Sequence, residues 1–160
     1  MACKRDPKIP KLIIAGNEGW NRRPIGALIQ EHQMQDRIQV VSGSTDLELA
    51  GLYANCRFLL HPALYEGFAL PIVEAMAFGK PIIASNSSSM PEVAGSAALL
   101  IDPTSSESIG DAILQLNSSP ELHSRLARNA IMETKRFSWR RAAQETLSLI
   151  ERVGSNASQG

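Results

Sequence analysis

The stretch of this sequence able to do chemistry runs from His61 to Pro81, where two carboxylates, Glu66 and Glu74, flank the turn Gly67-Phe68-Ala69-Leu70-Pro71. Gly67 lets the main chain come close to a ligand, and Pro71 fits a helix start, where its missing N–H has no intrahelical partner to lose. The N–H groups of Phe68, Ala69, Leu70 and Ile72 then stay free for phosphate oxygens, so the corner attracts an anion without a basic side chain. Glu74 follows Leu70 by four residues on the same helix face, about 6 Å along the axis. That offset is one phosphate-to-ribose step, and the carboxylate would accept from two vicinal hydroxyls. Glu66, before the turn, would accept hydrogen bonds from a bound sugar. Two acids beside a phosphate repel it unless both face hydroxyls, so the pattern fits a sugar nucleotide better than a bare polyphosphate. As isolated acids, Glu66 and Glu74 read more simply as solvated loop and helix carboxylates, and spacing alone does not overturn that. His61 stands where it would reach a sugar or phosphate, or pack against backbone.

Other chemistries lose support. The sequence has no Gly-x-Gly-x-x-Gly, no Gly-x4-Gly-Lys-Ser/Thr, no Gly-x-Ser-x-Gly, no paired His/Cys ligands and no Asp-x-Asp for a divalent metal. No metal and no cofactor is expected.

The elements that must hold this corner follow from the apolar runs. Leu12–Ala15, Ile38–Val41, Phe58–Leu60, Pro81–Ala84 and Ala98–Ile101 are short, apolar and closed by turn residues, which predicts five buried strands. Helical periods fall at 23–33, 46–54 with Thr45 or Asp46 as N-cap, 70–78 and 106–116. The alternation predicts an α/β fold, a Rossmann-like three-layer sandwich with a mostly parallel sheet. Two consecutive helices, Pro120 to Phe137 and Trp139 to Val153, end it, with Phe137 and Trp139 expected to pin the last one to the core. Residues 1–10 read as an N-terminal extension, 11–153 as one domain and 154–160 as a disordered tail.

Sixteen Lys and Arg balance sixteen Asp and Glu over 160 residues with 44% hydrophobic content, the profile of a globular domain and not of a polybasic nucleic-acid binder. The balance hides a pattern: residues 42–120 carry two basic residues against eight acids, while each flank carries seven against four. An anion held by the middle block therefore needs help from backbone dipoles. No run approaches the ~20 apolar residues of a membrane span, no signal peptide is seen, and two cysteines suit a reducing compartment, so a cytoplasmic location is expected. Arg125, Arg128, Arg136, Arg140 and Arg141 read as a solvated face, with peripheral contact to acidic lipid as the alternative.

The string Tyr65-Glu66-Gly-Phe-Ala-Leu-Pro-Ile-Val-Glu74-Ala-Met-Ala-Phe-Gly-Lys-Pro81-Ile-Ile-Ala-Ser85 resembles the C-terminal-domain signature of glycosyltransferase family 4, glycosyl transferases group 1, in the GT-B fold. Leu12–Gly16, Val41-Ser-Gly43, Asp46-x-x-Leu49, Leu52-Tyr53, Met90-Pro-Glu-Val93, Leu99–Pro103 and Phe137-Ser-Trp139 extend the likeness over about residues 11 to 153. The resemblance implies a retaining, metal-independent transfer of a hexosyl group from a nucleoside diphosphate sugar to a glycan or lipid-linked acceptor. It implies that Glu66 is the catalytic-site residue at the donor sugar, that Gly67 and the amides of Phe68, Ala69 and Leu70 hold sugar and diphosphate, and that Glu74 binds the ribose. Gly16 and Gly43 would line the base, His61 would stand near the donor, and Gly16-Asn-Glu-Gly-Trp20 leans toward a GDP or UDP sugar.

Two departures qualify the likeness. Ala69 stands where many relatives have Gly, a mild change if its φ is negative. The family's preceding strand and helix, with an Arg and a Lys for the diphosphate, have no counterpart before Leu12, nor does the acceptor-binding N-terminal domain, so the isolated chain is expected to be inactive. In sheet order 3-2-1-4-5-6 the absent strand is central, leaving a gap between Leu12–Ala15 and Phe58–Leu60. Either Cys3 to Ile9 partly fills it, or a second copy pairs with it, or the chain is a fragment of a longer protein; the expected partners are an N-terminal GT-B domain or a self-associated copy. The rival readings are a non-catalytic nucleotide-sugar-binding module or subunit, and a phosphorylase or epimerase on the same scaffold.

Overall fold

The computed structural model describes residues 6–16 and 25–157. Trp20, Arg22 and Arg23, and Cys3 to Arg5 of the expected gap-filling segment, lie outside them. In chain order the strands are β1 (Leu12–Ala15), β2 (Ile38–Val41), β3 (Leu59–His61), β4 (Ile82–Ser85) and β5 (Ala98–Ile101). The helices are α1 (Ile25–Glu31), α2 (Asp46–Asn55), α3 (Leu70–Ala77), α4 (Met90–Ala94), α5 (Ser106–Ser118), α6 (Pro120–Glu133) and α7 (Trp139–Ala157), with short 3₁₀ turns at Gly95–Ala97 and Thr134–Arg136.

All pairings are parallel, and the strands form two sheets, β1-β2 and β3-β4-β5. β4 is the central strand of the larger sheet and is buried along its whole length. Its side chains alternate between two cores, as the twofold period of a strand requires. Ile82 and Ala84 join Ile72, Met76, Met90 and Ala130 on one face, whereas Ile83 joins Ile101, Leu116, Leu122 and Leu126 on the other. Helices cover both faces, giving the α/β three-layer arrangement expected for this unit.

The smaller sheet is not continuous with it. Among the described residues no strand lies between β1 and β3, so the five like strands do not make one sheet. Residues 6–9, expected to help fill the gap, form a turn; Ile9 is buried and its carbonyl accepts from the Arg37 guanidinium. Asn117 Nδ2 donates to Asp6 Oδ2 at 3.0 Å, tying this turn to α5. A cavity of about 400 Å³ remains between the units, with Ile9, Leu12, Ile14, Ile25, Ile109 and Ile113 among its lining. Leu12, Ile13 and Val40 are correspondingly exposed.

Local chemistry sets the helix ends. Thr45 and Glu48 make a reciprocal capping box at the start of α2, and those bonds hold the Glu48 carboxyl below its ordinary value. Ser105 and Ser119 cap α5 and α6. Three expectations are corrected. The short helix α4 was read only as part of a motif. Helix α7 runs through Gly154 to Ala157, past the point where an unstructured tail was expected. Phe137 packs against the core as expected, but Trp139 is 80% exposed and pins nothing.

Candidate functional site

The expected site residues stand at the C-terminal ends of parallel strands, on the turn that follows β3 or on α3. Gly16 and Gly43 follow β1 and β2 with φ of 151° and 69°, and Gly16 N–H donates to Val41 O at 3.0 Å. Positive φ is what requires glycine at these two positions, since a Cβ at either would meet only open space. His61 ends β3, the loop 62–69 carries Glu66, Gly67, Phe68 and Ala69, and Leu70 opens α3 with Pro71 in its first turn.

Ala69, the N-cap of α3, is 2% exposed and adopts φ 66°, ψ 59°. The condition for a mild Gly-to-Ala change, a negative φ, therefore fails: a left-handed alanine costs about 1–2 kcal/mol. This conformation also reshapes the helix start. Ile72 N–H turns back to Ala69 O at 3.0 Å, so it is not among the free donors the sequence suggested. The N–H groups of Phe68, Ala69 and Leu70 have no hydrogen-bond partner among the described residues. Three adjacent donors at a helix N-terminus make a local anion receptor.

Glu74, on the exposed side of α3, is fixed by Tyr53, which belongs to the family likeness but had no expected role at the site. Tyr53 of α2 donates its hydroxyl to Glu74 Oε2 at 2.8 Å. The Tyr53 ring is buried and stacks on Phe78 with centroids 5.8 Å apart. Burial, together with the bond to Glu74, pushes the Tyr53 phenol well above its ordinary value, so it stays a donor. One carboxylate oxygen is thus committed to Tyr53 and the other, Oε1, remains available to a ligand. Nearby, Cys56 Sγ donates to Tyr53 O at 3.4 Å and burial raises its thiol, consistent with a packed cysteine.

Glu66 and His61 come together on the other side of the turn. His61 Nε2 lies 3.6 Å from Glu66 Oε1, a contact longer than a hydrogen bond, and their side chains are 16% and 39% exposed. His61 Nε2 and Ser44 Oγ, which follows Gly43, are the two buried side-chain polar atoms without a partner among the described residues. His61 is the last residue of β3, and Ser44 lies three residues past the end of β2. Buried polar atoms are rarely left unpaired, so each is a candidate ligand contact. Phe68 packs edge-to-face on Phe137 at 5.6 Å, and the Arg136 guanidinium lies 5.2 Å from the Phe137 ring centre, which anchors the turn to the segment after α6. No group of three His, Cys, Asp or Glu among the described residues is arranged to hold a metal ion.

Residues 2–132 match the family described as glycosyl transferases group 1. The chain is 34% identical over 137 residues to O-antigen chain mannosyltransferase B of Escherichia coli, covering 86% of this chain and 36% of that protein. It is 38% identical over 134 residues to MMP alpha-(1->4)-mannosyltransferase of Mycolicibacterium hassiacum, covering 81% and 33%. The chain thus spans about a third of the length of these curated relatives. Among solved structures, sucrose-phosphate synthase of Thermosynechococcus elongatus superposes with a TM-score of 0.85 at 24% identity, over 97% of this chain and 41% of that one. HepE of Anabaena in complex with UDP superposes with a TM-score of 0.74 at 21% identity, over 99% and 43%. The fold is the one shared by GT-B glycosyltransferases.

Proposed function

The chain belongs to the glycosyl transferases group 1 family, and from that premise we propose that the turn between β3 and α3 is the donor-binding half of a retaining glycosyltransferase. Its donor is a nucleoside diphosphate hexose, with GDP and UDP favoured, and its acceptor a glycan or lipid-linked sugar. The relatives named as mannosyltransferases support a mannosyl donor. The solved complex of HepE with UDP supports a nucleoside diphosphate as ligand. Acceptor contacts come from an N-terminal GT-B half or a self-associated copy, and without them the chain transfers nothing. Peripheral contact with acidic lipid belongs to the same proposal; among the described residues no helix is long and apolar enough to cross a membrane.

The observation that carries this reading is the pairing of three unpartnered amides, at Phe68, Ala69 and Leu70, with a carboxylate one helical turn on that Tyr53 holds in place. The amides take the diphosphate, and Glu74 Oε1 accepts from ribose hydroxyls. Glu66, beside His61, accepts from the sugar. In the transfer, the bond from the anomeric carbon to the β-phosphate oxygen breaks and its electron pair leaves on the diphosphate. The acceptor hydroxyl forms the new bond on the same face and its proton passes to the released diphosphate. Negative charge grows on the leaving group as the sugar becomes oxocarbenium-like, so fixed amide dipoles aimed at that oxygen lower the barrier. No cofactor and no metal takes part in this scheme.

Calorimetry and thermal shift with UDP, GDP, ADP and their hexose conjugates test the proposal. One diphosphate is expected to bind selectively, stabilising the chain by about 2.7 kcal/mol at 100 times its dissociation constant. Glu74→Ala is expected to weaken that binding. Silence across the panel, or equal affinity in Glu74→Ala, contradicts the reading.

A further inference from the structure

The turn that carries Glu66 has an unusual means of support. Among the described residues, no main-chain hydrogen bond to another main-chain group involves positions 62–68. A loop without its own backbone pairing must find partners elsewhere or stay mobile. Here the partners are serine hydroxyls from the end of β4 and the segment joining it to α4. Ser85 Oγ donates to Ala63 O at 2.6 Å, and Ser87 Oγ to Leu64 O at 3.1 Å. Ser88 Oγ and Ser89 Oγ both donate to Glu66 O, at 2.7 and 2.8 Å, filling the two lone pairs of that carbonyl. Glu66 N–H in turn donates to Ser88 Oγ at 3.4 Å, so both main-chain groups of Glu66 are held.

Two features show that these serines are spent on the loop at a cost to their own segment. Ser89 is the N-cap of α4, where a serine ordinarily accepts an N–H of the first turn, yet it makes no side-chain cap bond. Ser88 sits at φ 56°, a left-handed conformation that a non-glycine residue adopts only when its surroundings impose it. Ser85 anchors the arrangement from below, since it is fully buried at the end of β4.

We propose that Ser87, Ser88 and Ser89 are positioning residues of the donor site: their hydroxyls hold the main chain of Leu64–Glu66 so that Glu66 faces the sugar and the amides after it stay directed outward, free for the diphosphate. This rests on the donor-site reading of the turn. They touch no substrate and act through Glu66 and the amides that follow it.

The test compares the unaltered chain with Ser88→Ala/Ser89→Ala, and with Ser89→Thr, which keeps the hydroxyl. Alanine at 88 leaves the backbone strain unchanged and removes only the bonds. Without ligand, chymotrypsin should cut after the exposed Tyr65 about tenfold faster in the double alanine variant, for three lost hydrogen bonds, while cleavage after Phe137 is unchanged. With ligand, affinity for the preferred nucleoside diphosphate hexose should fall about tenfold and affinity for the corresponding monophosphate by less than about threefold. Ser89→Thr should match the unaltered chain on both readouts. Equal loss of both affinities together with a lower Tm, or no change in either readout, overturns the proposal and assigns the serines a purely structural part. If the unaltered chain binds no nucleotide, the donor-site reading falls and this role falls with it. If the unaltered chain binds and the variants bind equally well, only the serine proposal falls.

Discussion

Tyr53→Phe removes one oxygen atom and isolates what Tyr53 does for Glu74. The phenyl ring keeps its place in the core and its stack on Phe78, so no cavity beyond a hydroxyl is created. What is lost is a 2.8 Å bond to a carboxylate. Bonds to charged groups contribute about 1.5–3 kcal/mol, but Glu74 is exposed and water replaces the donor, which leaves about 1 kcal/mol. For a chain of this size that lowers Tm by about 2–4 °C. The larger consequence is for binding. With Tyr53 gone, the Glu74 side chain must be ordered by the ligand, at about 0.5–1.5 kcal/mol, or roughly two- to tenfold in dissociation constant. Calorimetry with the preferred diphosphate in a double-mutant cycle separates the terms. If Tyr53 acts through Glu74, Tyr53→Phe weakens binding in the unaltered background and has no further effect in Glu74→Ala. Equal losses in both backgrounds, or a lower Tm with unchanged affinity, would refute this reasoning.

Three further outcomes follow from the geometry. A Cβ at Gly95, whose φ is 52°, would lie 2.6 Å from the Glu133 carboxylate, which is pinned by Ser96 and Arg136; Gly95→Ala should cost about 2 kcal/mol or more in urea unfolding. The Glu133 carboxyl is held down to about 2, first by the Ser96 N–H and then by Arg136 and the Ser96 hydroxyl. Its stabilising contribution is therefore full above the ordinary value of 4.5 and is lost as pH falls toward 2, so Glu133→Gln should lower Tm at neutral pH and flatten the acid limb of the stability curve. In Tyr65→Phe, where Tyr53 is the remaining tyrosine, ultraviolet titration should show tyrosinate forming only well above the ordinary phenol value near 10, and Glu74→Gln should bring the midpoint down. The sign matches a raised phenol: its contribution to stability is complete below pH ~10 and is lost as pH climbs through the folded-state value.

Much of this was legible in the sequence because it is local. Three of the five strands fall on their apolar runs without a shift, and Thr45, one of the two N-cap residues the sequence offers, caps α2. Helix α4 was not legible: five residues containing a proline give no periodicity to read. Gly154 looked like a helix stop, but α7 continues through it, and along that helix every residue whose burial is described, 139–154, is exposed. The two-sheet arrangement escapes the pattern as well, since like strands imply one sheet unless the partner between them is absent. At the site, the carboxylates and the glycine-bearing turn were visible as residue types. Tyr53 and the serines were not, because a hydroxyl reaching a carboxylate or carbonyl 21 to 23 residues away leaves no spacing in the chain. The left-handed Ala69 had one signal, the glycine that many relatives carry there, since an alanine by itself gives no sign of a positive φ.

The central claim is that the unpaired amides at the start of α3 receive a nucleoside diphosphate. Backbone NMR of the chain titrated with UDP and with GDP tests it most directly. One of the two should shift the amide resonances of Phe68, Ala69 and Leu70 most strongly, with Glu74 and Tyr53 moving in step and Ile109 and Ile113 at the inter-sheet cavity unmoved. Perturbations centred on that cavity, or none at residues 68–70 at saturating nucleotide, would contradict it.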